Sequence, residues 1–274
     1  MSQAGALSSG STPPSVATSY VTDAGIAIPV GNVLNVLGDG TLTTSASGNT
    51  IVIHDGATPN PAKTLTIVDD FIASTIEGLY GWSVLGTVLP VNGTASHPGL
   101  FQVNSVASSQ GIALNDSGAT IGSFVVGGGS ISLNFVISLV TLSDVANRYI
   151  ATFGLYDAVS SQAGTLPING IYFSYSDNAN GGKWLLNCTA ASVTTSVDSG
   201  IAAGTGFVNL GILVNAAGTS VSFTINGASV GSAIVANIPS AVISPSMLWI
   251  NSSGNVPASL IDLFYLTNIL TVSR

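Results

Sequence analysis

The sequence predicts an all-β protein in which an N-terminal segment of short strands precedes an antiparallel β-sandwich of the jelly-roll kind. Three observations carry that prediction. Ile131, Leu133, Phe135, Ile137 and Leu139 alternate with Ser132, Asn134, Val136, Ser138 and Val140, the period of two that lines one sheet face with apolar side chains. Val221, Phe223 and Ile225 line a strand that runs into Asn226-Gly227, the strongest short hairpin signal. Helix formers are scarce: Glu77 is the sole Glu, and β-branched residues and Gly dominate.

Composition narrows the function classes. Of 274 residues only 4 are Lys or Arg and 12 are Asp or Glu, so 6% are charged, against about 25% in an average soluble domain. With a mean hydropathy of +0.57, the chain must keep its surface wet with Ser, Thr, Asn and Gly or cover that surface with copies of itself. A net charge of -8 and the scattered Lys63, Arg148, Lys183 and Arg274 argue against a nucleic-acid partner, which needs clustered cations. No apolar run reaches the roughly 18 residues of a membrane span, so no membrane insertion is expected. Residues 1–18 lack the cation and apolar core of a secretory signal. Cys188 stands alone, so neither an internal disulfide nor a cysteine-rich zinc cluster is expected.

Taken in order, residues 1–18 are rich in Ser, Gly and Pro and read as a flexible arm. Residues 19–65 hold the short apolar runs Ile26 to Val30, Val33 to Leu37 and Ile51 to Ile53, separated by Gly38-Asp39-Gly40, Ser47-Gly48-Asn49 and Asp55-Gly56 turns. So few short strands cannot easily close a core, which makes this segment the place for attachment and oligomerisation. Thr58 to Lys63, with Pro59 and Pro61, marks the boundary. Residues 66–274 form the sandwich. Beyond the alternating run at Ile131, strands are expected at Ile171 to Tyr175, at Phe207 to Asn215, at Val221 to Ile225 with Ala228 to Val230 after the hairpin, and at Leu260 to Val272; Leu142 to Asn147 is the one stretch that could turn as a helix.

The segment Phe207 to Gly231, a strand, an Asn-Ala-Ala-Gly turn, a strand and an Asn-Gly hairpin, resembles the meander of concanavalin A-like lectin and laminin-G-type sandwiches. The closing Ile261-Asp262-Leu263-Phe264-Tyr265-Leu266 is similar to the terminal strand of that superfamily. Asp69-Asp70-Phe71, Gly81-Trp82 and His97-Pro98-Gly99 resemble the start of such domains in bacteriophage tail and fibre proteins. Pro13-Pro14-Ser15-Val16, Tyr20-Val21-Thr22-Asp23 and the run Ala27 to Val36 resemble a module at the start of phage structural proteins. The resemblance implies a virion location and a fibre or tail appendage. Such an appendage would attach to other virion proteins through its N-terminal segment, assemble as a homotrimer and project a lectin-like domain toward a host-surface glycan. A capsid decoration or head-fibre protein is the structural alternative.

The residues do not suggest an enzyme. A glycan hydrolase of sandwich fold, the second alternative, needs two facing carboxylates; Glu77 has no Glu partner, and Asp69 and Asp70 point to opposite faces if extended. His54 and His97 sit beside turns and near no nucleophile elbow. No cofactor is expected except calcium, which needs only oxygen ligands; Asp157, Asp177 and Asn180, with Asn178, flank the Ile171 strand. Sugar binding calls for an exposed aromatic beside polar groups. Trp184 and Tyr175, next to Asp177 and Asn178, are the expected ligand-binding residues, with Trp82 and Trp249 as further aromatics.

Overall fold

The computed structural model describes residues 20–22, 25–27, 42–47, 50–55, 61–72, 82–103, 108–114, 124–157, 165–255 and 258–274. The chain divides into two units, Met1–Asn60 and Pro61–Arg274. In the first unit β1 (Tyr20–Thr22) pairs with β2 (Gly25–Ala27), and β3 (Leu42–Ser47) pairs with β4 (Thr50–Asp55) in a register that joins Ser47 to Thr50 across the expected turn. The expected arm at 1–18, the strand Val33 to Leu37 and Glu77 lie outside the described residues.

The second unit is a sandwich of two antiparallel sheets. Among the described residues one sheet has eight strands, in the order β17 (Ala228–Ile234), β16 (Val221–Ile225), β15 (Phe207–Val214), β10 (Gly129–Ser138), β19 (Ser259–Leu270), β8 (Leu100–Val103) and β7 (Val88–Val91), with β5 (Thr64–Asp69) also pairing with β19. The facing sheet has seven: β14 (Val193–Ala202), β13 (Lys183–Ala190), β12 (Gly170–Tyr175), β11 (Arg148–Tyr156), β18 (Ser244–Ser253), β9 (Gln110–Leu114) and β6 (Trp82–Leu85). A boundary at residue 65 would fall inside β5; the division after Asn60 keeps that strand whole. The two ends of the unit are zipped together, since the Leu270 and Arg274 amides donate to the Lys63 and Ala62 carbonyls at 2.8 and 2.9 Å.

Alternation does what the sequence predicts in β10, whose Ile131, Leu133, Phe135 and Ile137 are buried between the sheets while Ser132, Asn134 and Val136 face outward. Asn226 and Gly227 take φ of +51° and +79°, the left-handed pair that a tight β16–β17 turn requires. The stretch Leu142 to Asn147 is not helical. The Asp144 carboxylate captures the Ala146 and Asn147 amides at 2.8 and 2.7 Å, so local side-chain bonding replaces the helix. Between the sheets lies an aromatic interior in which Phe153 meets Trp249 and Trp184 edge-on at centroid distances of 5.2 and 5.9 Å. Cys188 is packed in the same core, where burial pushes its thiol up to about 12.

Candidate functional site

The aromatics expected to face a ligand are interior residues. Trp184 is 1% exposed and Tyr175 3%, and Trp82 and Trp249 are equally closed. Trp184 and Tyr175 lie 5.7 Å apart, centroid to centroid, inside the core. The large aromatic surface gains more from burial than from solvent, and a stacked sugar needs an open ring face. Trp184 underlies a pocket of about 210 Å³ between Gly204, Gly206 and Phe207, but does not open into it as a platform.

The structure instead points to a cleft of about 280 Å³ on the outward face of the seven-stranded sheet, across β11 to β14. Antiparallel register puts Tyr172, Asn187 and Ser196 in one row, with Ser174 and Leu185 in the next. Ile150, Tyr172, Leu185 and Leu166 supply its apolar lining. At its centre is Asn187, 4% exposed. Its Nδ2 donates to Ser174 Oγ at 2.9 Å and to the Tyr172 and Leu185 carbonyls at 3.3 Å, while its Oδ1 accepts from Ser196 Oγ at 2.7 Å. This spends the Ser196 proton and one Ser174 lone pair. What remains is a fixed donor at Ser174 and a fixed acceptor at Ser196. No charged side chain lines the cleft.

Beside the cleft, a second apolar cluster of Ala113, Tyr156, Tyr172, Leu248 and Ile250 occupies the same outward face. Tyr172 belongs to both, and its hydroxyl meets Thr189 Oγ1 at 3.2 Å, which in turn meets Thr194 Oγ1 at 2.8 Å. The aromatics that border the cleft are therefore Tyr172 and Tyr175, 2% and 3% exposed. In the alternating run Ile171 to Tyr175, Ile171, Phe173 and Tyr175 pack between the sheets and Tyr172 packs on the opposite face, which was the available signal.

The rim is the β12–β13 connection, where Ser176 Oγ donates to Asn178 Oδ1 at 3.0 Å. Arg148 grips Asp177 with two bonds, of 3.1 and 2.8 Å, and Ser143 Oγ adds a third at 2.6 Å. Asn180 Nδ2 and Lys183 Nζ both reach Asp198, at 2.8 and 3.3 Å. These contacts hold Asp177 well below the usual carboxylate range, with the Arg148 hydrogen bonds the largest cause and Ser143 the next. A depressed folded value stabilises the protein above the ordinary aspartate pKa of about 3.9, and that contribution is lost as pH falls below it. Arg148→Met is therefore expected to lower the melting temperature at neutral pH and to flatten its decline below about pH 4, measured by calorimetry across pH.

The expected calcium ligands are not brought together. Asp157 Oδ2 accepts from both nitrogens of Asn169 at 3.1 and 3.0 Å, while Asp177 and Asn180 are engaged as above. Among the described residues no three His, Cys, Asp or Glu side chains group to hold a metal. Asp69 is structural too: its oxygens accept from the Phe71 amide and the Trp82 indole, each at 2.9 Å, and Asp70 is exposed. His97 Nδ1 lies 2.6 Å from Asp262 Oδ2 and its ring stacks on Phe207 at 3.7 Å. Asp262 is the extra residue of a β-bulge between the Ile137–Ile261 and Val136–Leu263 pairs, which aims its carboxylate at the β7–β8 connection.

No protein-family profile and no curated protein matches the chain. Solved structures do. The metal-free Emp46p carbohydrate recognition domain matches with a TM-score of 0.53 and 10% identity, over 77% of this chain and 98% of that one. The Emp47p carbohydrate recognition domain gives 0.52 and 10%, over 77% and 99%. Peanut lectin in complex with a nine-residue peptide gives 0.51 and 13%, over 77% and 100%. The fold is the lectin-type, concanavalin A-like sandwich. At these identities the likeness is one of fold, and the cleft has to be read from its own residues.

Proposed function

We propose that this chain binds a neutral glycan in the β11–β14 cleft and serves as a virion appendage of a bacteriophage, attached through its N-terminal unit and assembled as a homotrimer. The observation that carries the glycan reading is the Ser174–Asn187–Ser196 relay. A sugar hydroxyl is at once donor and acceptor, and the relay offers one of each at fixed positions beside the apolar side chains of Leu166 and Leu185. The ion-paired rim holds the cleft in shape before the ligand arrives, which lowers the ordering cost of binding. The same sandwich carries carbohydrate recognition in the Emp47p domain. The virion reading is supported by the N-terminal sequence resemblance and by the scarcity of charge.

The uncharged lining of the cleft supports binding without turnover as the reading. A glycan microarray that includes purified host surface polysaccharide tests it. The wild-type chain should be retained by at least one neutral glycan. Ser174→Ala/Ser196→Ala should weaken that binding by about a hundredfold or more, the equivalent of two hydrogen bonds. Retention of none, or equal retention of both proteins, overturns the cleft assignment. Cryo-electron microscopy of particles and sedimentation of the purified chain test the rest. Density at a tail or fibre and a trimeric mass are expected; density on the capsid shell would give the structural alternative, and a stable monomer would sink the trimer.

A further inference from the structure

The outward face of the eight-stranded sheet is the other large surface of the sandwich, and its chemistry is unusual. Its outward residues include Val68 of β5, Tyr265 and Thr267 of β19, Asn134 of β10, Leu213 of β15 and Thr224 of β16. None is charged. Leu213 is 50% exposed and Tyr265 38%, an aliphatic and an aromatic left open to solvent.

Register sets Val68, Tyr265, Asn134, Gly211 and Thr224 in a single row across five strands, neighbours being about 4.8 Å apart. Gly211 makes a step in that row. A methyl group there would collide with Thr224 Oγ1 and lie 2.9 Å from Asn134 Oδ1, so the missing side chain lets two oxygens converge over the backbone. A depression of about 160 Å³ lies at this point, bordered by Ser132, Asn134, Leu213 and Thr224. Among the described residues neither the Thr224 hydroxyl nor the Asn134 amide hydrogen-bonds to another side chain, so both keep their capacity for a ligand. Thr267 Oγ1 donates to the Tyr265 hydroxyl at 2.9 Å, which fixes the ring beside the step and leaves its own proton free.

We propose that this row is a second saccharide site, in which the apolar face of a neutral pyranose lies on Tyr265 and its hydroxyls reach Asn134 and Thr224 over the Gly211 step. An open ring face next to convergent uncharged oxygens is the chemistry that suits a sugar, whose rings carry C–H faces and hydroxyl edges. A charged ligand would find no counter-ion on this face. The site shares no residue with the β11–β14 cleft and stands or falls independently of it.

The test is a titration of the full chain, labelled with ¹³C on tyrosine, with the methyl glycosides of glucose, galactose, mannose and N-acetylglucosamine at millimolar concentrations. The Tyr265 signals are assigned from Tyr265→Phe. At least one glycoside should shift Tyr265 saturably. Tyr265→Ala and the isosteric Thr224→Val should each weaken that site by about tenfold, while any binding monitored at Tyr172 is unchanged. No saccharide-dependent shift at Tyr265 overturns the proposal, as does a shift that follows protein concentration instead, which would mark the face as a contact between copies.

Discussion

Phe153→Ala is expected to cost about 4 kcal/mol of unfolding free energy, the largest loss from any single truncation in the sandwich. Phe153 is fully buried in β11, at the centre of the seven-stranded sheet. It meets Trp249 at 5.2 Å and Trp184 at 5.9 Å on its own sheet, and Phe135 of the facing sheet at 6.4 Å. Removing the ring leaves a void whose walls are large, rigid rings on strands locked in ladders, so little relaxation can fill it. The loss combines about 3 to 5 kcal/mol for a buried Phe truncation, which includes its edge-to-face contacts. Against a typical total of 5 to 15 kcal/mol, that is a large share. Urea unfolding should show the midpoint falling with little change of slope, whereas Val145→Ala, at an exposed loop position, should stay within about 0.5 kcal/mol. A Phe153→Ala loss below about 1.5 kcal/mol would mean that the sheets are not packed through this ring.

The fold was legible where a strand has one wet face. β10, β16 and β19 alternate because one side meets the core and the other meets water, and Asn226-Gly227 announces its hairpin by the only backbone it favours. The strands that carry most of the second sheet gave weaker signals. β11 and β18 are buried on both faces along most of their length, so Thr152, Gly154 and Ser246 sit among apolar residues without a readable period. β14 fails for the opposite reason: its Thr, Ser and Asp residues at the sheet edge are mostly exposed, and a polar strand resembles a loop. The 3₁₀ turn Asn180–Gly182 depends on the left-handed Asn180 and Gly181, which composition alone does not place.

The candidate site was legible in region and only partly in residues. The sequence directs attention to the loop after Ile171 to Tyr175, and Asn178 does line the cleft rim. Asp177 belongs to Arg148 and Trp184 to the core, while Tyr175, packed in the core, also borders the cleft. The burial of Trp184 has a physical origin: aromatic residues are read as platforms because they bind sugars well, yet the same apolar surface favours their burial in a sandwich. The residues that do shape the cleft, Ser174, Asn187 and Ser196, lie on three strands and become neighbours only through register. No spacing in the chain connects them. The few charges form pairs, Arg148 with Asp177 at a strand end and Lys183 with Asp198, whose carboxylate stands opposite Leu185 on the outward face of the seven-stranded sheet.

Asn187→Leu is the second large effect, and it separates binding from folding. Leu has the branching and side-chain heavy-atom count of Asn, though it is bulkier, and suits a strand that already carries Leu185 and Leu186, but it can neither hold the Ser174 hydroxyl nor accept from Ser196. Both hydroxyls are then released to rotate, and the donor and acceptor no longer stand at fixed positions. Glycan binding in the cleft should fall by about a hundredfold, close to 2.7 kcal/mol, since two oriented hydrogen bonds and their preorganisation are lost together. Stability should fall by less than about 2 kcal/mol, because the Tyr172 and Leu185 carbonyls lose only long contacts of 3.3 Å and an apolar side chain replaces the buried amide. Isothermal titration with the glycan selected on the array, paired with urea midpoints, resolves the two quantities. If Asn187→Leu bound as tightly as the wild type while remaining folded, the relay would be a packing device, and recognition would have to be sought elsewhere on the sandwich.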